Sequence, residues 1–281
     1  MRKVHVDEIR EAVRELTLKA NYEIPEPAVA LFRSALEKEE SPLGKEVLRQ
    51  ILLNVETARE ERMPYCQDTG ITVVFLEIGQ EVVIEGGDLE SAVNEGVREA
   101  TREGYLRASV VWDPVFERKN TGDNTPAVIH YEVVPGDRVK VTVAPKGAGS
   151  ENTSRLAMLK PADGWEGVKS FVLETVEKAG PNACPPLTVG VGIGGNFEYS
   201  AYLAKKALLR PPGERHPDPL IEKVEEELIE EINRLGLGPM GFGGRFTAVD
   251  VKVEMYPCHI ASLPVAVNIQ CHAVRHAEKE I

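Results

Sequence analysis

Four cysteines, Cys66, Cys184, Cys258 and Cys271, have the widest chemical range of any residues in this sequence. They are too few and too dispersed for a disulfide framework. No two form a CxxC pair, so a structural zinc knuckle is not expected. Cys66 is followed by Gln67 and Asp68, Cys184 lies between Gly180-Pro181 and Pro185-Pro186, and Cys271 precedes His272 and Arg275. None of these three surroundings is plainly apolar. Thiolates on separate loops can converge on an iron–sulfur cluster, whereas a solitary cysteine is otherwise a small hydrophobic residue. Spacing alone leaves both readings open. Three ligands rather than four would be the informative case. The remaining iron would then keep open positions and act as a Lewis acid on a hydroxyl and a carboxylate, which suits dehydration better than electron transfer.

Three other motifs are weaker. Gly190-Val191-Gly192-Ile193-Gly194-Gly195 contains GxGxxG after an apolar run, but the helix that follows leads into RPPGERHPDP rather than a second parallel strand with an acidic end, so the dinucleotide context is missing. A tight turn or close backbone packing is the better reading. Gly147–Asn152 would place backbone N–H groups at a helix start, which favours a carboxylate or phosphate, or is simply a turn. The sequon Asn152-Thr153-Ser154 carries no meaning in a cytoplasmic protein, the compartment expected here.

The elements that must position these residues follow from hydrophobic period. Ile9, Val13 and Leu16, then Val47, Ile51, Leu52 and Val55, recur at helical spacing over the first sixty residues. Ile71–Ile78 is an apolar, β-branched run that reads as a buried strand, so Cys66 sits where a loop feeds a strand. A helix over 88–103 starts at an Asp88 cap and stops at Gly104. Strands at 127–134 and 139–144, joined by Pro135-Gly136-Asp137, predict an antiparallel hairpin. Helices are expected from Lys146, over 165–178, from the 187–195 strand and glycine cluster to 209, and over 219–235, the last acidic with a solvated face. A strand at 247–255 and an apolar run at 263–269 complete the chain. The mixture predicts an α+β fold, a helical N-terminal part followed by antiparallel or mixed sheet with the cysteines on loops. Residues 1–281 are read as one domain with an internal linker at 210–219.

The balance of 33 Lys+Arg against 45 Asp+Glu, a formal charge of −12, argues against nucleic acid or anionic membrane as a partner. No apolar run is long enough for a membrane-spanning helix, and the charged N-terminus lacks the apolar core of a secretory signal. A cytoplasmic location follows as the expectation.

Together, PYCQDTG (64–70), KGAGSEN (146–152), GPNACPP (180–186), GPMGFGGRFTAVDVKVE (238–254) and HIASLPVAVNIQCHAVRH (259–276) resemble the class I, iron–sulfur-dependent fumarate hydratases and their tartrate dehydratase relatives, specifically the α subunit or N-terminal domain. The resemblance implies a 4Fe-4S cluster on Cys66, Cys184 and Cys271 with one open iron, and no ligand role for Cys258. It places Asp68 and His259 as catalytic residues, and Gln67, Arg107, Gly147 and Gly149 as substrate-binding ones. The chain departs from the motif at Ala148, where the family usually has glycine. On the residues alone, Arg107 reads equally as a helix-end surface cation and His259 as a core histidine.

The activity implied is reversible hydration of fumarate to (S)-malate, with L-tartrate dehydration as the alternative and a non-catalytic iron–sulfur protein as the reading from another class. Because the chain stops at Ile281, soon after Cys271, the rest of the site is expected on a separate β subunit, in an α2β2 or other assembly with a small dicarboxylate as substrate. Much of its negative surplus is expected on the 219–235 helix, with positive potential concentrated at the cleft.

Overall fold

The computed structural model describes all 281 residues. In chain order the elements are β1 (Arg2–His5), α1 (Val6–Tyr22), α2 (Glu26–Lys38), α3 (Pro42–Glu60), β2 (Ile71–Gly79), β3 (Val82–Glu85), α4 (Leu89–Glu103), β4 (Val128–Val134), β5 (Val139–Lys146), α5 (Ala148–Glu151), β6 (Arg155–Leu159), α6 (Gly164–Ala179), β7 (Leu187–Gly194), α7 (Phe197–Ala207), α8 (Pro219–Arg234), β8 (Ala248–Tyr256), β9 (Leu263–Gln270) and β10 (Ala277–Glu280). The fold is α+β, as the sequence predicts. The chain divides into two compact units, one of residues 1–24, 55–148 and 275–281, the other of 25–54 and 149–274. No helix is long and apolar enough to cross a membrane.

The first unit is built on a four-stranded sheet of order β10-β5-β2-β4, with a small parallel β1-β3 pair beside it. Ile9, Val13 and Leu16 of α1 and Val93 and Val97 of α4 pack against Val74, Leu76, Val141 and Val143, so the predicted helical stripe is the stripe that is buried. Asp88 caps α4 by accepting a hydrogen bond from the Ser91 N–H.

The predicted β4–β5 hairpin does not form. β2 lies between the two strands, parallel to β4 and antiparallel to β5. The Pro135–Asp137 turn instead passes over the end of β2, where Gly79 N–H donates to the Arg138 carbonyl at 2.8 Å and Gln80 N–H to the Val134 carbonyl at 2.8 Å. Burial explains the order. β2 is buried along almost its whole length, whereas Val128, Tyr131 and Val133 of β4 are exposed, so the more continuously apolar strand takes the centre and the alternating one the edge.

The second unit has a sheet of order β6-β9-β7-β8. One face, with Val189, Val191, Val251, Val253, Val265 and Val267, is covered by α6 and α8; α7 covers the other. The helix expected from Lys146 is a single turn, α5, after which the chain extends into β6, whose register with β9 runs from Arg155↔Val267 to Leu159↔Leu263. Segment 210–219 connects α7 to α8 inside this unit. It is fastened by Lys252 Nζ on the Pro211 carbonyl at 2.9 Å and by the Gly213 N–H on Asp250 Oδ2 at 2.7 Å. Most of the acidic face of α8 is solvated as predicted, but Glu225 is fully buried, accepting the Val253 N–H of edge strand β8 at 2.8 Å and pairing with Arg210.

The glycine pattern in β7 serves packing. A Cβ on Gly190 would sit 2.2 Å from the Ala204 carbonyl oxygen and one on Gly192 2.1 Å from that of Ser200. Their missing side chains let α7 lie directly on the strand. Gly192→Ala is therefore expected to lower stability by about 3 kcal/mol, read as a shift of the urea unfolding midpoint with the slope unchanged. An unaltered midpoint would contradict the close approach.

Candidate active site

In the first unit, the Pro64–Gly70 loop is fixed residue by residue. Tyr65 N–H donates to the Asn21 carbonyl at the end of α1, 2.8 Å. The Asp68 carboxylate accepts two backbone N–H groups, from Gly70 on Oδ1 at 2.9 Å and from Ala148 on Oδ2 at 2.8 Å. Its own carbonyl accepts from Arg275 Nη1 at 2.7 Å. Thr69 Oγ1 accepts the Arg107 N–H at 2.9 Å, and Asn124 Nδ2 donates to the Gly70 carbonyl at 3.1 Å. Gly70 itself has φ 76°, and a Cβ there would meet the Lys146 carbonyl oxygen at 2.3 Å, so glycine is required on both counts.

Five of the predicted site residues are thereby assembled in one unit. Cys66 is half-buried, with its Sγ accepting the Asp68 N–H at 3.5 Å and facing Gln67 Oε1 at 3.5 Å. Gln67 is exposed beside it. Arg107 is tied to the loop only through its backbone. Its guanidinium is exposed and makes no hydrogen bond, so its charge is available to an external anion. Gly147 is buried where a Cβ would lie 3.2 Å from both Asp68 Oδ2 and Arg275 Nη2, so a larger residue there would press on both side chains. Ala148, in the family's glycine position, still supplies its N–H to Asp68. Its φ is not positive, so the departure leaves the backbone donor intact.

The second unit places Cys184 and Cys271 at one end of its sheet. Thr188, just inside β7, pairs with Gln270, the last residue of β9, and the His272 N–H donates to the Cys184 carbonyl at 3.2 Å. Cys184 has the left-handed values φ 53° and ψ 66°, a conformation that costs a non-glycine residue about 1 kcal/mol or more and clusters at functional positions. Its loop is held by the Met240 N–H on the Pro185 carbonyl at 2.7 Å, which explains the GPMGFGG motif as a support for GPNACPP. Gly149 is exposed, and its Cβ position lies 3.3 Å from the Asn182 carbonyl oxygen of the same loop.

His259 is at the other end of this sheet. It lies in the β8–β9 connection, near the end of β7 where Gly194 pairs with Tyr256, so the length of β9, about 25 Å at strand rise, separates it from Cys271. It is exposed, not a core histidine, and its Nδ1 accepts the Ala261 N–H at 3.1 Å. With Cys258, whose Sγ donates to the Ser262 carbonyl at 3.3 Å, it lines a mostly apolar cavity of about 420 Å³ that includes Trp165, Val168 and Leu263.

All four cysteines are free. No three His, Cys, Asp or Glu side chains are gathered tightly enough to hold a single metal ion. The donors predicted from the sequence are instead soft, half-buried thiols on structured loops, each loop braced by backbone hydrogen bonds. That donor set fits an iron–sulfur cluster, which takes thiolates at its corners, better than a mononuclear hard-cation site. Sequence reasoning missed Arg275, Asn21 and Asn124, the buried polar residues that hold the acid loop. A signal existed for Arg275 alone, a cation four residues after Cys271 and directly following Ala273 and Val274.

The chain thus carries a carboxylate on a braced loop next to a free thiol, with further cysteine-bearing loops elsewhere. The chain belongs to the fumarate hydratase (Fumerase) family, whose model matches residues 10–280. It is 46% identical over 277 residues to the protein of Methanocaldococcus jannaschii named "Putative L(+)-tartrate dehydratase subunit alpha", covering 97% of both chains. It is 36% identical over 273 residues to the L(+)-tartrate dehydratase subunit alpha of Escherichia coli strain UTI89, covering 96% of this chain and 89% of that one. The corresponding protein of strain K12 is 35% identical over the same span.

Proposed function

We propose that this chain is the α subunit of a cytoplasmic, two-subunit iron–sulfur hydro-lyase that adds water to, or removes it from, a four-carbon dicarboxylate. The observation that carries the reading is the Asp68 carboxylate, clamped by two backbone N–H groups one residue beyond the Cys66–Gln67 pair. Cys66, Cys184 and Cys271 would hold the cluster, and Cys258 would not. When bound, the cluster supplies Lewis-acid polarisation of the substrate hydroxyl and carboxylate at its open iron.

The chain's own residues do the rest. Asp68 exchanges the proton of the departing hydroxyl, its carboxylate aimed by Gly70 and Ala148. The unpaired guanidinium of Arg107 takes a substrate carboxylate, and Gln67 with the amides at Gly147 and Gly149 orients it. His259 enters this reading through a second copy of the chain in an α2β2 or similar assembly, because its own strand carries it away from Cys271. A separate β subunit supplies the remaining groups. The relatives' subunit names support that partner. So does the arm between α4 and β4, which leaves the large apolar side chains of Trp112, Val115 and Phe116 exposed.

Fumarate and (S)-malate are the first substrates to assign, following the family. L-tartrate is the second reading, favoured by the names of the relatives. Anaerobic reconstitution with the β subunit, followed by parallel assays on fumarate, (S)-malate and L-tartrate, decides between them. One substrate pair is expected to turn over at least tenfold faster than the other, with the isolated α chain inactive or nearly so. No turnover of any of the three by the cluster-loaded complex would leave the non-catalytic iron–sulfur reading. Cys66→Ser and Cys184→Ser are each expected to abolish the cluster's visible absorbance and Cys258→Ser to preserve it; an intact cluster in either of the first two sinks the ligand assignment.

A further inference from the structure

Arg275 is only 3% exposed, yet no carboxylate lies within ion-pair distance of it. Its two hydrogen bonds, both from Nη1, go to neutral oxygens, the Asp68 carbonyl at 2.7 Å and Asn21 Oδ1 at 3.2 Å. Its Nε is buried with no hydrogen-bond partner. A buried charge satisfied this incompletely is costly, and an apolar side chain of similar volume would fill the place with less penalty. What an apolar side chain cannot do is grip the main chain at Asp68. The carboxylate is held from one side by the Gly70 and Ala148 N–H groups, and the same residue's carbonyl is held from the other by Arg275. Asn21 completes the brace, since its side chain takes Arg275 while its own carbonyl takes the Tyr65 N–H.

We infer that Arg275 is the positioning residue for Asp68, fixing the acid loop to the end of α1 so that the carboxylate is presented in one orientation. The inference rests on the catalytic role proposed for Asp68. Arg275 touches the Asp68 backbone rather than its carboxylate, so it acts on turnover through geometry. Displacing a reacting group by about 1 Å costs on the order of 100-fold in rate.

The test uses the full chain with Arg275→Met and Arg275→Lys. In amide hydrogen exchange on the chain alone, Arg275→Met is expected to weaken protection of the Gly70 and Ala148 N–H groups about tenfold or more and to leave the amides in the middle of α1 unchanged. In the reconstituted complex with its β partner, kcat is expected to fall about 100-fold with KM within threefold, and Arg275→Lys to recover about tenfold, because the ammonium keeps the charge and a donor but sits on a more flexible stem that is not pre-organised for both acceptors. Unchanged exchange at Gly70 and Ala148 overturns the brace. A raised KM with unchanged kcat overturns positioning and makes Arg275 a binding residue. If Arg275→Met does not fold, Asn21→Ala, which keeps the guanidinium and removes one of its acceptors, is expected to lower kcat about fivefold at constant KM; normal kcat there overturns the inference. An inactive wild-type complex would instead defeat the proposed function, while the exchange data would still decide the brace.

Discussion

Asp68→Asn is expected to lower kcat by about 100- to 10,000-fold, the range for loss of a positioned general acid or base. The substitution is nearly isosteric, so its effect on the fold is small and definable. Both carboxylate oxygens of Asp68 are acceptors, for the Gly70 N–H at 2.9 Å and the Ala148 N–H at 2.8 Å. Asparagine offers only one acceptor oxygen, and its amide must turn an N–H toward one of these donors. That loses one hydrogen bond and adds a donor–donor contact, about 1–3 kcal/mol, not enough to unfold the chain. Asp68→Glu keeps the charge and lengthens the side chain, which takes the carboxylate off both donors. It is expected to lose nearly as much activity as asparagine does. Steady-state kinetics of the reconstituted complex with thermal melts of each variant separate the two effects. An Asp68→Asn complex with kcat within threefold of the wild type would remove Asp68 from the mechanism.

Glu39→Gln is expected to cost about 3 kcal/mol of stability in the second unit and to flatten its acid unfolding limb. Glu39 caps the C-terminal end of α2 and is 1% exposed. Its carboxylate accepts the N–H groups of Glu40 and Ser41 from its own turn, at 2.8 and 2.9 Å, and those of Arg245 and Phe246 from more than two hundred residues along the chain, at 2.9–3.1 Å. Burial pushes this carboxyl up, but the four backbone donors outweigh it and hold it below the ordinary carboxylate range.

The sign follows directly. A depressed folded pKa contributes stability that is complete above the unfolded value of about 4.3 and is lost as pH falls through the lower folded value. Glutamine does not titrate and leaves some of the four donors facing an NH₂ group. Urea melts at pH 7 and at steps below pH about 5 test both parts. The wild type should lose stability steeply in acid while the Glu39→Gln gap narrows. A gap that stays constant down to pH about 2 would show that Glu39 is not the group titrating.

Much of the candidate site was legible before the fold. Cys66, Asp68, Cys184 and Cys271 stand out because their residue types carry chemistry in any context and their neighbours are glycine, proline and polar residues rather than core. The loops that bear them were legible for the same reason. His259 was not, because a histidine beside a cysteine reads alike at either end of a strand. Only the direction of β9 shows that it points away from Cys271. The β4–β5 pairing failed for a related reason. A Pro-Gly-Asp turn fixes a reversal of the chain but not whether a third strand lies between the two arms.

The α+β class, the helical faces of α1 and α4 and the buried runs of β2, β7 and β9 were readable from the sequence alone. These are local, because hydrophobic period and residue type act over a few residues. The tertiary structure alone decided that β2 takes the centre of its sheet, that α7 lies on Gly190 and Gly192, and that Arg275 and Glu39 are buried partners of backbone groups 207 positions or so away in the chain. A buried polar group must find its hydrogen bonds wherever the fold brings a donor or acceptor within reach, and that partner leaves no periodic mark in the sequence.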